Sequence, residues 1–180
     1  MIKLNLGCGW RNFGLDWVHI DGGSYPHLDS TDIINLPYPD NSVDIIYSSH
    51  TIEYFNRTEV KDVLSIWYNK LKPGGILRLA VPNFEVLAKL YVKNKISLSQ
   101  VLGPLYGQML MGDETIYHKT TYDYKSLESL LLDLNFNNIK SYNWEKTEHF
   151  NLDDFSQSYI PHMDKENGIL TSLNVEAQKL

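Results

Sequence analysis

Gly7 and Gly9 close the apolar run Ile2–Leu6 with a single cysteine, Cys8, between them, and Asp21 closes the next apolar run, Trp17–Ile20. A glycine pair at the end of a strand lets the backbone turn sharply and approach a ligand with no Cβ atoms in the way. A carboxylate at the end of the neighbouring strand can accept two hydrogen bonds from a ribose diol. Together they have the chemistry of a nucleotide-type site, although a lone GxG also serves as a plain tight turn and an aspartate as a helix cap. Two histidines stand where a base would be useful. His50 follows Ser48 and Ser49 at the end of the run VDIIYS, and His118 lies in IYHKTTYD at a loop-to-helix junction. An imidazole near neutral pH suits proton removal from an oxygen or nitrogen nucleophile. The plainer readings are helix packing for His50 and a solvated loop for His118 with its neighbours Tyr117, Lys119 and Tyr122. His19 and His27 fit packing or exposure equally well, and His149 and His162 read as surface residues. The acids nearest the histidines (Asp123, Asp153, Asp154, Asp164) have no regular ligand spacing, so no metal site is expected.

The choice of nucleotide follows from what the first turn lacks. A dinucleotide site needs G-x-G-x-x-G opening a helix whose N-terminus faces the pyrophosphate. Here the third glycine position is Asn12, and Gly14 and Asp16 break the short span before Val18. A parallel crossover normally takes a dozen residues or more, so this link is a bare loop and a poor cradle for pyrophosphate. That disfavours a dinucleotide-dependent oxidoreductase. It suits a ligand with adenosine at one end, an amino acid at the other and no phosphate, which describes S-adenosylmethionine. Trp10, directly after the turn, either covers the ligand or anchors the short link, with the anchor favoured. Cys8 reads as a small residue that fits the turn.

The elements that must hold these residues alternate between strand and helix. Ile2–Leu6, Trp17–Ile20 and Val43–Ser48 read as short buried strands, with Asp32–Leu36 a weaker one between them. Pro39, Asp40 and Asn41 supply a turn before Val43. Asn56 with Glu59 makes a capping-box-like start to a helix that runs to Leu71 and stops at Lys72–Gly75, and Ile76–Val81 is the next strand. Phe84–Lys93 and Ser99–Met111 read as helices, the second interrupted by Gly103 and Pro104, and Tyr124–Leu134 as a helix capped by Asp123. Ile139–Trp144 and Leu173–Ala177 are expected as an antiparallel hairpin at one edge. The pattern predicts a single α/β domain over residues 1–180, with a Rossmann-like, doubly wound and mostly parallel sheet. The polar stretch Asn151–Gly168 reads as a loop over or beside the site.

Composition narrows the partners. A net charge of −6 argues against a general phosphate-backbone binder, which needs clustered Lys and Arg. One cysteine can form neither an internal disulfide nor a cysteine zinc site. The start carries no signal-peptide pattern and no window approaches a membrane span. The expected location is the cytoplasm.

With LNLGCG, HID, DIINLPYPDNSVDIIYSSHTIEYF and LKPGGILRLAVPN in order, the chain resembles the class I S-adenosylmethionine-dependent methyltransferases, and within them the small methyltransferase type 11-like group that begins with LNLGCG. The tail segments HKTTYDYKSLESLLLDLNF and SLNVEAQK extend the resemblance over almost the whole chain. It implies the following roles. Gly7 and Gly9, with Asn5, Leu6 and Cys8 around them, border the methionine part of the cofactor, and Asp21 binds the ribose hydroxyls. Asp32 meets the adenine amino group, the Ile33 backbone lies beside the ring and Leu36 packs nearby. Ser48, Ser49 and His50 line the side from which the methyl group leaves, and His118 belongs to the substrate side. A small-molecule or glycan-type acceptor is expected, and a non-catalytic S-adenosylmethionine-binding protein is the alternative. Three departures stand out: Asn5 where many relatives have an acid, loops in place of helices after the first two strands, and Tyr54 in place of a histidine. The missing helices leave one face of the sheet thinly covered, which suggests a homodimer.

Overall fold

The computed structural model describes residues 1–180. A six-stranded sheet in the order β2-β1-β3-β4-β10-β7 forms its centre. Its strands are β1 (Lys3–Leu6), β2 (Val18–Ile20), β3 (Val43–Ser49), β4 (Leu71–Pro82), β7 (Phe136–Ser141) and β10 (Ser172–Lys179). The first four run parallel to one another, while β10 lies antiparallel between β4 and β7. The sheet is therefore mostly parallel with antiparallel C-terminal strands. The helices are α1 (Glu59–Lys70), α2 (Phe84–Val92), α3 (Leu98–Tyr106) and α4 (Tyr124–Asp133). Links between strands stay helix-free from β1 to β3, as the short glycine-broken spans require.

Alternation along each strand gives the sheet two unlike faces. Leu4, Leu6, Ile20, Ile46, Leu77, Leu79, Val81, Leu173, Val175 and Ala177 share one core, closed by Val60, Val63, Leu64 and Trp67 of α1 and Leu127 and Leu131 of α4. On the other face a polar row crosses the strands in register: His19, Asn5, Tyr47, Arg78 and Glu176. Two segments without an α-helix cover it. Phe13 and Trp17 from the β1–β2 loop pack on Ile45 and Tyr47, and Tyr142 and Leu152 join them from the strap that links β7 to β10. His149 of this strap stacks on Phe13 with centroids 4.7 Å apart. Asp154 accepts the Tyr47 hydroxyl at 2.5 Å. Arg78 donates to Glu148 and Glu176, each at 2.9 Å. The face expected to be bare, and to call for a second copy, is thus closed by the chain's own strap.

Several boundaries differ from the sequence reading. Asp32–Leu36 forms no strand; a single bridge, Ile20 to Ser30, extends the sheet there. Asp32 instead folds the segment into a turn, and Trp67 fixes it by donating Nε1–H to the Ile33 carbonyl at 2.8 Å. Helix α3 ends at Tyr106, not Met111, because Gly107 takes a left-handed φ of 53°. Residues Met109–Met111 and Glu114–Ile116 then pair as a small hairpin, β5 and β6. A second pair, β8 (Tyr159–Ile160) and β9 (Ile169–Leu170), sits within the strap. The strand expected at Ile139–Trp144 starts earlier, at Phe136, and its partner β10 lies inside the sheet with β7 at the edge. Trp10 is 66% exposed, so anchoring of the first link falls to Phe13 and Trp17 instead.

Candidate active site

A cavity of about 1270 Å³ opens beyond the C-terminal ends of the parallel strands, where open α/β sheets bind ligands. Gly7, Gly9 and Asp21 form one wall, Ser49, His50 and Tyr54 a second, and residues 102–119 the roof. The turn at Gly7 has φ +73°, and a Cβ there would sit 2.1 Å from the Thr51 hydroxyl oxygen. No other residue fits that approach. The Gly7 N–H donates to the Ile20 carbonyl at 2.7 Å, which ties the turn to the end of β2.

Asp21 is buried and its carboxylate organises the loops on both sides. Oδ2 accepts the Gly9 N–H at 2.8 Å and Oδ1 the Gly23 N–H at 2.7 Å. Each oxygen keeps acceptor capacity toward the cavity, which suits a diol. Ile33 also lines the cavity, beside Ile34. Asp32 does not reach the lining. Its oxygens accept the Ile34 and Asn35 N–H groups and the Asn35 side chain within 2.9 Å, and these bonds hold its pKa below the usual carboxylate range. Leu6 and Leu36 are buried in the main core. Ser48 is buried and donates to the Leu6 carbonyl at 2.8 Å, so it braces β1 against β3. Asn5 and Cys8 lie behind the glycine turn, around a void of about 10 Å³ shared with Asp154 of the strap. Burial first, then the Asp21 charge, pushes the Cys8 thiol up to about 12, so it stays neutral.

His50 and His118 reach the cavity from different elements. His50 sits in the left-handed region, φ 52°, held by its N–H to the Ala80 carbonyl at 2.8 Å. Its ring packs on Phe155 of the strap, 5.1 Å between centroids, and its Nε2 is buried with no hydrogen-bond partner. Burial, followed by the charges of His118 and Arg11, pulls its pKa down to about 3. His118 Nδ1 lies 3.1 Å from the Pro104 carbonyl, an acceptor that makes Nδ1 the protonated nitrogen and leaves Nε2 as the free base. Tyr54 meets the His118 ring edge-on at 4.6 Å. Burial lowers the His118 pKa, offset in part by the Pro104 and Leu105 carbonyls.

The sequence reading missed the β5–β6 hairpin, whose Met109, Met111 and Ile116 line the cavity, and also Arg11, Tyr25 and Phe155. It also missed Glu53, whose side chain is fully buried three residues after His50. Only the short spacing to His50 hints at it. No group of three or more His, Cys, Asp or Glu is placed to hold a metal ion.

Comparison with known proteins agrees with this fold. Residues 16–79 match the family described as Methyltransferase domain. No curated protein sequence matches the chain. Among solved structures, a SAM-dependent methyltransferase from Archaeoglobus fulgidus is similar at TM-score 0.59 and 16% identity, over 98% of this chain and 85% of that one. The 1,6-didemethyltoxoflavin-N1-methyltransferase of Burkholderia thailandensis, solved with 1,6-didemethyltoxoflavin and S-adenosylhomocysteine bound, matches at TM-score 0.58 and 12% identity, over 99% and 70%. An S-adenosylmethionine dependent methyltransferase from Mesorhizobium loti matches at 0.53 and 14%, over 99% and 90%.

Proposed function

We propose that this chain, a class I S-adenosylmethionine-dependent methyltransferase by its matched domain and its fold, transfers the methyl group to a small-molecule or glycan-type acceptor. One observation carries the reading: a single cavity joins the glycine turn and buried Asp21 on one wall to His50 and His118 on the others. When bound, the cofactor supplies a methyl group already activated on a sulfonium. The protein's work is then alignment, exclusion of water and, for a hydroxyl or N–H acceptor, removal of one proton. Gly7 and Gly9 admit the amino-acid end, Asp21 holds the ribose hydroxyls and Ile33 lies against the adenine. His50 and His118 take the proton side. Asp32, engaged in its own turn, reaches adenine only if that turn opens.

The acceptor class follows from volume and lining. Ligand pockets typically span ~300–1000 Å³, so about 1270 Å³ leaves room for a second molecule beside the cofactor. The roof offers Leu102, Tyr106, Met109, Ile116 and Tyr117, with Gln108 and Lys119 as the polar contacts. Such a wall suits a ring with one ionisable hydroxyl or ring N–H, and two cations, Arg11 and Lys119, are too few for a nucleic-acid backbone. No helix is long and apolar enough to cross a membrane, and the lone cysteine fits a reducing compartment, so the cytoplasm is the location we infer.

Calorimetric titration with S-adenosylmethionine and S-adenosylhomocysteine, with NADH as control, tests the site. Binding of the first two alone is expected. A panel of phenols, heterocycles including 1,6-didemethyltoxoflavin, and free sugars, read by S-adenosylhomocysteine release, then tests the acceptor. Binding without turnover on any of them would favour a protein that holds the cofactor without using it.

A further inference from the structure

We propose that Arg11 is the carboxylate anchor of the cavity: its guanidinium takes the carboxylate of a molecule lying beside the glycine turn, supplied either by the amino-acid end of the cofactor or by an acidic acceptor. The proposal rests on the reading of the cavity as a methyl-transfer site.

Arg11 and Lys119 are the two permanent cations of the lining, against the carboxylates of Asp21, Glu59 and Asp62. Lys119 is already engaged, its Nζ 3.4 Å from Glu59 Oε2. Arg11 has no carboxylate of its own. Its Nε–H donates to the Asp153 main-chain carbonyl at 2.8 Å, while the Asp153 side chain pairs with Lys165 at 2.8 Å. Both Nη groups are left without a protein partner, on a half-buried residue of the cavity wall. A guanidinium carries its donors in a planar fork that matches the two oxygens of a carboxylate. An anion entering this cavity therefore has one cation open to it.

The fork is also held in place. Its Cζ lies over the Phe155 ring at 4.5 Å and over the Trp10 ring at 5.0 Å, and the face of an aromatic ring attracts a cation. With the Asp153 carbonyl on Nε, these contacts fix a long side chain before any ligand arrives, so less rotamer freedom is lost on binding. They also give Trp10 a use. It is 66% exposed and braces no core, yet it lines the cavity and carries the guanidinium. The position of the fork names the two sources of the carboxylate. A Cβ placed on Gly9 would sit 4.0 Å from Arg11 Nη1, so the fork reaches the turn that admits the amino-acid end of the cofactor. Phe155 packs on His50 as well, 5.1 Å between centroids, so the same fork borders the side assigned to the acceptor.

The test is calorimetric titration of the intact protein with S-adenosylhomocysteine and with its decarboxylated analogue, which keeps the amine and lacks only the carboxylate. If the cofactor supplies the anion, the wild type is expected to bind the analogue ~10–100-fold more weakly. Arg11→Gln should then bind the two ligands alike, and Arg11→Lys, which keeps the charge but not the fork, should recover part of the difference. If the acceptor supplies it, wild type and variants bind the two ligands in the same ratio. The protein loaded with S-adenosylhomocysteine is then expected to bind hydroxybenzoates ~10–100-fold more tightly than the matching hydroxybenzamides, a preference that Arg11→Gln removes. A wild type that distinguishes neither pair, or a distinction that survives Arg11→Gln, overturns the anchor. Should Arg11→Gln fail to fold, the wild-type comparison and Arg11→Lys decide in the same way. Absence of S-adenosylhomocysteine binding to the wild type sinks the site reading, whereas binding with no carboxylate preference in either pair sinks the anchor alone.

Discussion

Asp21 does two jobs at once, holding the Gly9 and Gly23 N–H groups and offering the rest of its acceptor capacity to the cavity. Asp21→Ala is therefore expected to weaken S-adenosylhomocysteine binding by one to two orders of magnitude, roughly 1–3 kcal/mol. On the proposed assignment of His50 to the acceptor side, His50→Ala should leave that affinity nearly unchanged. Calorimetry on both variants checks the assignment, and equal losses would mean the ligand lies elsewhere in the cavity. The residues legible in the sequence were those whose type alone dictates the role. Gly7 must be glycine because of its φ and its approach to Thr51, and Asp21 lies where its place at the end of an apolar run put it, just after β2 on the cavity wall. Asp32 reads the same way in sequence, but an asparagine three residues later gives its carboxylate a local partner, and local bonds win over an exposed site. Glu53 carried no signal, because burial of a carboxylate is set by what folds over it.

At the scale of elements, the strap between β7 and β10 replaces the helices that the β1–β2 and β2–β3 links lack. Its attachment is polar. Tyr47 Oη donates to Asp154, the Ser156 N–H donates to the same carboxylate at 2.8 Å, and Asn174 reaches the Ser156 carbonyl at 2.8 Å. Asp154→Ala leaves the fully buried Tyr47 hydroxyl without a partner, a cost of about 1–3 kcal/mol. In a chain of this size that corresponds to a fall in Tm of roughly 2–12 °C. Tyr47→Phe in the same chain should recover part of the loss, because the orphan goes with the hydroxyl. Calorimetric melting of the single and double variants measures the coupling, and strictly additive losses would contradict it. Most strands were legible because each is a short apolar run bounded by turn residues. The polar row from His19 to Glu176 was not, since its members are brought together only by pairing between strands far apart in sequence. Nor was the β5–β6 hairpin: its residues extend the apolar spacing of α3, and Gly107 alone marks the break.

Because the strap closes the sheet face on which a second copy was expected to sit, light scattering at micromolar concentration is expected to give the mass of one chain. A dimer mass would show that another surface carries the contact. The whole molecule also has an expected pH dependence of stability. His19, His50, His118 and His149 are all shifted down by burial, with His50 at about 3 and His149 at about 4. Below the ordinary histidine value of 6.5 the unfolded chain takes up protons that the native chain refuses, so stability falls as pH falls. Glu53 works in the opposite sense. Its carboxyl stays protonated up to about 8 in the fold but ionises near 4.5 when unfolded, so stability falls as pH rises through that window. Up to about pH 7 the four histidines outweigh the one glutamate, and between about 7 and 8 Glu53 outweighs what remains of their titration. The shifted aspartates and the other glutamates titrate below this range and the tyrosines and Cys8 above it. Stability should peak near pH 7 and fall by less than about 1 kcal/mol toward pH 8, because the histidines regain stability there while Glu53 loses it at up to about 1.4 kcal/mol per pH unit for one proton. That loss corresponds to no more than about 4 °C in Tm. Glu53→Gln is expected to flatten the alkaline limb and steepen the acid one, as the opposing proton is gone. Melting curves from pH 5 to 8.5 on both proteins decide it, and a wild-type Tm that keeps rising to pH 8 would mean Glu53 is ionised in the fold.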